Sequence, residues 1–251
     1  MNYKPLGKSG VKISELVLGC WELGGDYWGH YDQSTAVGYI HKAFEVGINT
    51  YDTAENYGDG FSETVLGNAL SDLPRDQINI ITKIWPNHMS KELVASTCEE
   101  QMKRLKTDYL DTYFLHYPSR EIPFEETMEE MMKLKKAGKI RSIGVSNFNL
   151  KQLKEITQYG DVDVIQPCYN LLWRFIDRDH ILQFCIDHEI AVIPYSPLAQ
   201  GLLTGAITRD SKLAEDQKRK NTPLWQPEWF DKALDVKMCI RDRFSSGCGE
   251  Y

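Results

Sequence analysis

The sequence predicts an α/β protein built as a TIM-type (β/α)8 barrel. About seven of its strands are legible, behind an N-terminal β-hairpin. Three observations lead there. Short β-branched runs alternate with amphipathic stretches at intervals of about 30 residues, the length of a right-handed βαβ unit. Several runs, such as 140–145 and 191–193, are almost continuously apolar, as in parallel strands buried on both faces. The first barrel strand leads into Gly19-Cys20-Trp21-Glu22-Leu23-Gly24-Gly25, which lacks the GxGxxG turn of an open dinucleotide-binding sheet, so the barrel is preferred. The 251 residues suit a barrel of about 250.

The elements follow in order. Residues 3–6 and 11–13, joined by Gly7-Lys8-Ser9-Gly10, read as a hairpin that closes the barrel bottom. Strands are expected at 15–18, 49–52, 79–83, 109–115, 140–145, 164–166 and 191–195. Helices are expected at 34–46, 62–70 and 178–188. Val94, Cys98, Met102 and Leu105 form one apolar stripe, with Ser90 as its N-cap. Phe124, Met128, Met131 and Leu134 form another, which Gly138 stops. Asn149 and Gln152 make a capping pair for the next helix. After Tyr195 the pattern degrades: residues 209–222 are highly charged, and Trp225 and Trp229 lie among prolines and polar residues.

Composition narrows the function. A net charge of −7 disfavours a general nucleic-acid binder. No apolar run approaches the ~20 residues of a membrane span, and Met1 to Gly10 has no signal-peptide core, so a cytoplasmic protein is expected. The six cysteines match no zinc or CxxC spacing and read as reduced thiols.

In a parallel barrel, chemistry collects at the C-terminal strand ends. The second strand ends in Asp52, with Tyr57 shortly after it; the third ends in Lys83 and the fourth in His116. This set has a chemical logic. An ammonium beside a phenol favours phenolate and lowers its pKa, and a carboxylate can hold that ammonium in place. Such a phenol can act as general acid toward a carbonyl oxygen, and a neutral imidazole can orient the same carbonyl. No side chain here carries hydride, so the site needs a redox cofactor. Trp21, Tyr27, Trp28, Trp85 and Tyr117 lie on strand-end loops and could wall a substrate pocket or serve as ordinary loop packing.

The motifs resemble those of the aldo-keto reductases. Asp52-Thr53-Ala54-Glu55-Asn56-Tyr57-Gly58, followed by Ser62-Glu63 and Leu66-Gly67, is similar to the family's first signature, and 138–148 to its second. Thr82-Lys83, Leu115-His116, Gln166 with Tyr169-Asn170, and Pro194-Tyr195-Ser196-Pro197-Leu198 complete the series, in order, to about Gly205. The resemblance implies an NADPH-dependent reductase of small aldehydes or ketones, with NADH less favoured. Tyr57 would be the proton donor, Lys83 and Asp52 its tuning pair, and His116 the residue that orients the carbonyl. Ser146, Asn147 and Gln166 would bind the nicotinamide carboxamide and Tyr195 would stack on its ring. Ser196, Pro197, Leu198, Gln200 and Gly201 would approach the pyrophosphate, and Gly19, Cys20 and Trp21 would line the same cleft. Pro118-Ser119-Arg120 departs from the acidic residue that many relatives carry soon after the histidine, which bears on substrate preference.

Beyond Gly205 the eighth strand and the 2′-phosphate clamp implied by the resemblance are not legible. Met238-Cys239-Ile240-Arg241-Asp242-Arg243 reads back as ATG-TGT-ATA-AGA-GAC-AGN, a transposon end used in sequencing libraries. The expectation is therefore a truncated barrel over 1–237 with a non-native tail at 238–251, weak NADPH binding and poor turnover. Two other functions stay open: an NADPH-binding regulatory subunit, as some relatives are, and a metal-dependent hydrolase using His116 and Asp52. The absence of an early HxH pair counts against the hydrolase. The oligomeric state is not legible.

Overall fold

The computed structural model describes residues 1–25, 32–213, 221–222 and 225–246, with 33 and 237–246 described by their backbone. A seven-stranded, curled parallel sheet follows the chain order: β3 (Leu18–Gly19), β4 (Thr50–Asp52), β5 (Asn79–Ile84), β6 (Leu110–Leu115), β7 (Ile140–Ser146), β8 (Val164–Gln166) and β9 (Ala191–Val192). The helices on its outer side are α1 (Gln33–Glu45), α2 (Phe61–Leu70), α3 (Val94–Leu105), α4 (Phe124–Lys136), α5 (Leu150–Ile156), α6 (Phe175–Arg178) and α7 (Ile181–Asp187). Among the described residues β3 and β9 each have one neighbour, so the sheet keeps two edges. No described helix is long and apolar enough to cross a membrane.

Strand alternation divides the core in two. Tyr51, Ile80, Ile84, Tyr113, Leu115, Ile143, Val145 and Ile165 belong to the large cluster shared with the helices. Ile81, Phe114 and Val164 belong to a second cluster inside the barrel. The second cluster is completed from below by Leu6, Val11 and Ile13 of the hairpin β1 (Tyr3–Pro5) and β2 (Lys12–Ser14). The hairpin thus plugs the barrel floor. Its Gly7 has φ +55°, and a Cβ there would stand 2.1 Å from the Asp163 carbonyl, so the turn seats against the sheet only as glycine. Gly144 makes room of another kind: a Cβ would lie 2.5 Å from the Phe114 ring, which fills the lumen beside it.

Two buried carboxylates close the strand starts. Asp111 accepts from Ile80 N–H at 2.9 Å, Arg75 at 2.8 Å and Arg141 at 3.0 Å. Asp163 accepts from Ile143 N–H and from Lys135, both at 2.9 Å. Burying these charges is tolerable because each is paired and hydrogen-bonded.

Local signals explain the boundaries. Asp32 caps α1 by accepting from Thr35 N–H, and Asn149 and Gln152 form a reciprocal capping box on α5. Gly138, at φ +73°, ends α4.

Some expectations change. The first barrel strand is Leu18–Gly19 rather than 15–18, because the Ser14 hydroxyl donates to the Leu16 carbonyl and bends the chain. Regular pairing of the last strand stops at Val192: Pro167 and Pro194 have no N–H, and only a single bridge, Cys168 to Tyr195, follows. Ser90 does not cap α3; its carbonyl accepts from Leu93 and Val94 N–H in a turn ahead of the helix. The helix expected over 178–188 is broken at His180, which has φ +58°. The last segment holds a helix that the sequence did not announce, α8 (Pro227–Ser246). Ala233 and Leu234 of α8 pack with Ala199 and Leu202.

Candidate active site

The inward face of the sheet carries Asp52, Lys83, Ser146 and Gln166 near successive strand ends, and His116 directly after β6. Lys83 is fully buried. Its ammonium finds an acceptor for each of its three hydrogens: Asp52 Oδ2 at 2.9 Å, the Thr53 carbonyl at 2.8 Å and Tyr57 Oη at 3.3 Å. Burial alone pulls its pKa down, yet Asp52 and Tyr57 outweigh that and hold it above the ordinary value. Tyr57 comes from the loop after β4. Because its oxygen accepts from Lys83, its own hydrogen is left to point elsewhere.

The phenol differs from the sequence expectation. Burial is the largest influence on Tyr57 and pushes its pKa up to about 12, against the opposing pull of Lys83. It therefore remains a protonated phenol near neutrality. His116 moves the opposite way: burial, then Lys83, bring its pKa down to about 2, so it is a neutral imidazole. Its Nδ1 is buried with no partner among the described residues, as is Asp52 Oδ1.

Aromatic rings extend from this centre. Trp21 stacks on Tyr57 at 6.0 Å, and Tyr57 meets His116 edge-on at 5.7 Å. Trp85 stands edge-on to His116 at 5.2 Å, and Tyr117 stacks on His116 at 5.3 Å. Tyr27 and Trp28 lie outside the described residues. Gly19 pairs with Asp52 across β3 and β4, and the buried Cys20 thiol faces the Leu18 carbonyl.

A second group adjoins the first. Asn147, at φ +64°, donates to the His116 carbonyl at 3.1 Å and to Ser146 Oγ at 3.0 Å. Its amide oxygen accepts from Tyr195 Oη at 2.9 Å, which fixes that half-buried ring. Ser146 Oγ donates to the Gln166 carbonyl at 2.7 Å. The Gln166 side-chain amide makes no hydrogen bond among the described residues, although the residue is only 4% exposed. A flat carboxamide such as that of nicotinamide needs a donor and an acceptor side by side; the Gln166 amide offers both beside the pinned Tyr195 ring, while the two Asn147 amide hydrogens are engaged in holding that ring's surroundings. Past Tyr195, Ser196, Gln200 and Gly201 take left-handed backbone conformations, next to the exposed Pro197 and Leu198.

Other contributors escape a reading of motifs. Thr53 acts through its carbonyl, for which the side chain gives no signal. Gln101 Nε2 donates to the Lys83 carbonyl at 2.9 Å and to Glu63 Oε1 at 3.0 Å, while Tyr113 Oη donates to Gln101 Oε1 at 2.6 Å. Gln101 is a polar residue on the buried stripe of α3, between Cys98 and Met102, and that interruption was the available signal. No group of three or more His, Cys, Asp or Glu side chains among the described residues could hold a metal ion.

The fold and its strand-end chemistry place the protein among the α/β-barrel oxidoreductases. The aldo/keto reductase family model matches residues 15–239, past the point where the legible motifs stop, and the chain belongs to that family. It is 37% identical over 245 residues to aldo-keto reductase YhdN of Bacillus subtilis, covering 94% of this chain and 74% of that protein. It is 36% identical over 255 residues to the NADH-specific methylglyoxal reductase of Escherichia coli, covering 92% and 77%. A Klebsiella pneumoniae aldo-keto reductase in complex with NADPH superposes with a TM-score of 0.73 at 35% identity, covering 80% of this chain and 70% of that one.

Proposed function

We propose that this protein reduces small aldehydes or ketones to alcohols at the expense of NADPH, reversibly, with Tyr57 as general acid. One observation carries the reading: a single buried ammonium, Lys83, bonds both the Asp52 carboxylate and the Tyr57 oxygen beside a neutral imidazole.

Each residue has a task. Lys83 holds the phenol oxygen, so the Tyr57 hydrogen is presented to a carbonyl oxygen and passes to it as negative charge develops there. Asp52 keeps the ammonium charged and in place. His116 is neutral and carries one N–H; donated to the same carbonyl oxygen, it orients the substrate without a full charge beside Lys83. Trp21 and Tyr117 exclude water from the reacting centre, and Trp85 walls the substrate pocket beside it. Ser146, Asn147, Gln166 and Tyr195 would hold the nicotinamide end of the cofactor, and Ser196 to Gly201 its pyrophosphate. NADPH supplies the hydride when bound.

Among similar proteins, one is named NADH-specific and another is seen with NADPH, so both cofactors belong in the test. The assay follows NADPH and NADH oxidation across a panel of aldehydes and ketones, with Tyr57→Phe beside the parent. The expected result is slow reduction preferring NADPH, falling at least ~100-fold further in Tyr57→Phe while cofactor affinity holds. Normal turnover by Tyr57→Phe would refute the assigned acid.

A further inference from the structure

We propose that Glu55 is a positioning residue that shapes the substrate pocket by clasping the turn that carries Trp85; what the pocket takes rests on the reductase reading above. Glu55 sits two residues before Tyr57, and its side chain is 10% exposed. The proposed chemistry makes no use of it. One carboxylate oxygen accepts the backbone N–H of Trp85, and the other lies 3.1 Å from His88 Nδ1. Its own N–H donates to the Lys83 carbonyl at 3.4 Å. One residue therefore ties the phenol loop after β4 to the tryptophan turn after β5.

The tie matters because the other anchors of Trp85 are local: its carbonyl accepts from His88 N–H at 3.0 Å within its own turn, and the rest is ring contact. It precedes the 3₁₀ turn Pro86–His88, whose first residue has no N–H to give. The indole makes no hydrogen bond among the described residues. It rests edge-on against His116, at 5.2 Å and 89°, and against Tyr117, at 5.5 Å and 72°. Without the carboxylate, a half-buried N–H loses its partner and the turn can swing, taking the indole with it. A small aldehyde that reaches only Tyr57 and His116 does not feel the change. An aromatic aldehyde packed against Trp85 does.

The test compares Glu55→Ala and Glu55→Gln in the whole chain, with propanal and naphthaldehyde as substrates. Glu55→Ala is expected to raise KM for naphthaldehyde about tenfold, the scale of one aromatic contact, with kcat and the propanal KM within about threefold. Glu55→Gln keeps an oxygen for the Trp85 N–H and is expected to stay within about threefold of the parent on both. Equal losses on the two aldehydes, or a Gln variant as damaged as the Ala variant, overturn the proposal. Fluorine NMR of fluorotryptophan-labelled protein decides independently of turnover. The Trp85 resonance, assigned by its loss in Trp85→Phe, is expected to shift in Glu55→Ala and not in Glu55→Gln; an unmoved resonance in Glu55→Ala overturns the clasp. If the parent reduces no carbonyl, the reductase reading fails and the fluorine readout still decides on Glu55.

Discussion

Lys83 Nζ lies 2.9 Å from Asp52 Oδ2, and the two side chains are 0% and 12% exposed. Removing one member of such a pair strands the other charge in a site that cannot solvate it. Lys83→Met is expected to cost about 3–5 kcal/mol of unfolding free energy, the range for breaking a buried pair. Urea denaturation of Lys83→Met, Asp52→Asn and the double variant checks this. The double variant should recover part of the loss, and strict additivity would show that the two do not act as a pair.

His116 links the site to acid stability. Its native pKa of about 2 lies below the ~6.5 of an unfolded histidine. Between those values the unfolded chain binds a proton that the native state refuses, so stability falls as pH falls through that window. The slope from this residue is at most about 1.4 kcal/mol per pH unit. Unfolding measured from pH 7 down to about 4 should show a steeper loss in the parent than in His116→Asn. Parallel curves would contradict a buried neutral imidazole.

Tyr57 sets a different dependence. With its pKa raised to about 12, the phenol stays protonated at any working pH. Carbonyl reduction, which uses the phenol, should therefore show no loss from this group up to about pH 10. Alcohol oxidation needs the phenolate as base and should rise with pH across the same range, approaching tenfold per unit. A plateau in oxidation below about pH 9 would mean that Lys83 wins over burial once cofactor is bound.

Gly144 offers a steric test. Gly144→Ala puts a methyl 2.5 Å from the Phe114 ring. Overpacking of this kind is expected to cost about 1–3 kcal/mol. Combining it with Phe114→Leu should return part of the loss, read as the shift in urea midpoint. No rescue would place the strain elsewhere.

Much of this was legible from residue order alone, for a physical reason. Strands buried on both faces must be apolar throughout, so a charged or hydroxylic residue at a strand end stands out against its run. Asp52, Lys83 and His116 were visible for that reason and the hairpin through its two glycines, whereas Ser146 came only from the resemblance of 138–148 to a family signature. The last strand was harder because Pro167 and Pro194 interrupt its ladder while its residues still look like strand. Helix α8 was hidden by tryptophans and prolines that suggest a loop. The phenol's acidity could not be read at all, because the sequence shows the neighbouring lysine but not how deeply the ring is buried. Glu55 sat inside a quoted motif without a role, since its partners are a backbone N–H and a ring on another loop.

The alternation of the strands has one more consequence. Asp52, Lys83, Ser146 and Gln166 share the parity of the lumen, whereas Tyr51, Thr82, Val145 and Ile165 have the opposite parity. Inserting a single residue within β5 would turn Lys83 toward the helices and bring a neighbour into its place. The chemistry is thus locked to an even count along each strand. The loops carrying Trp21, Trp85 and Tyr117 obey no such count. They can lengthen, shorten or change composition without moving the ion pair, so selectivity can drift while the reacting centre stays fixed.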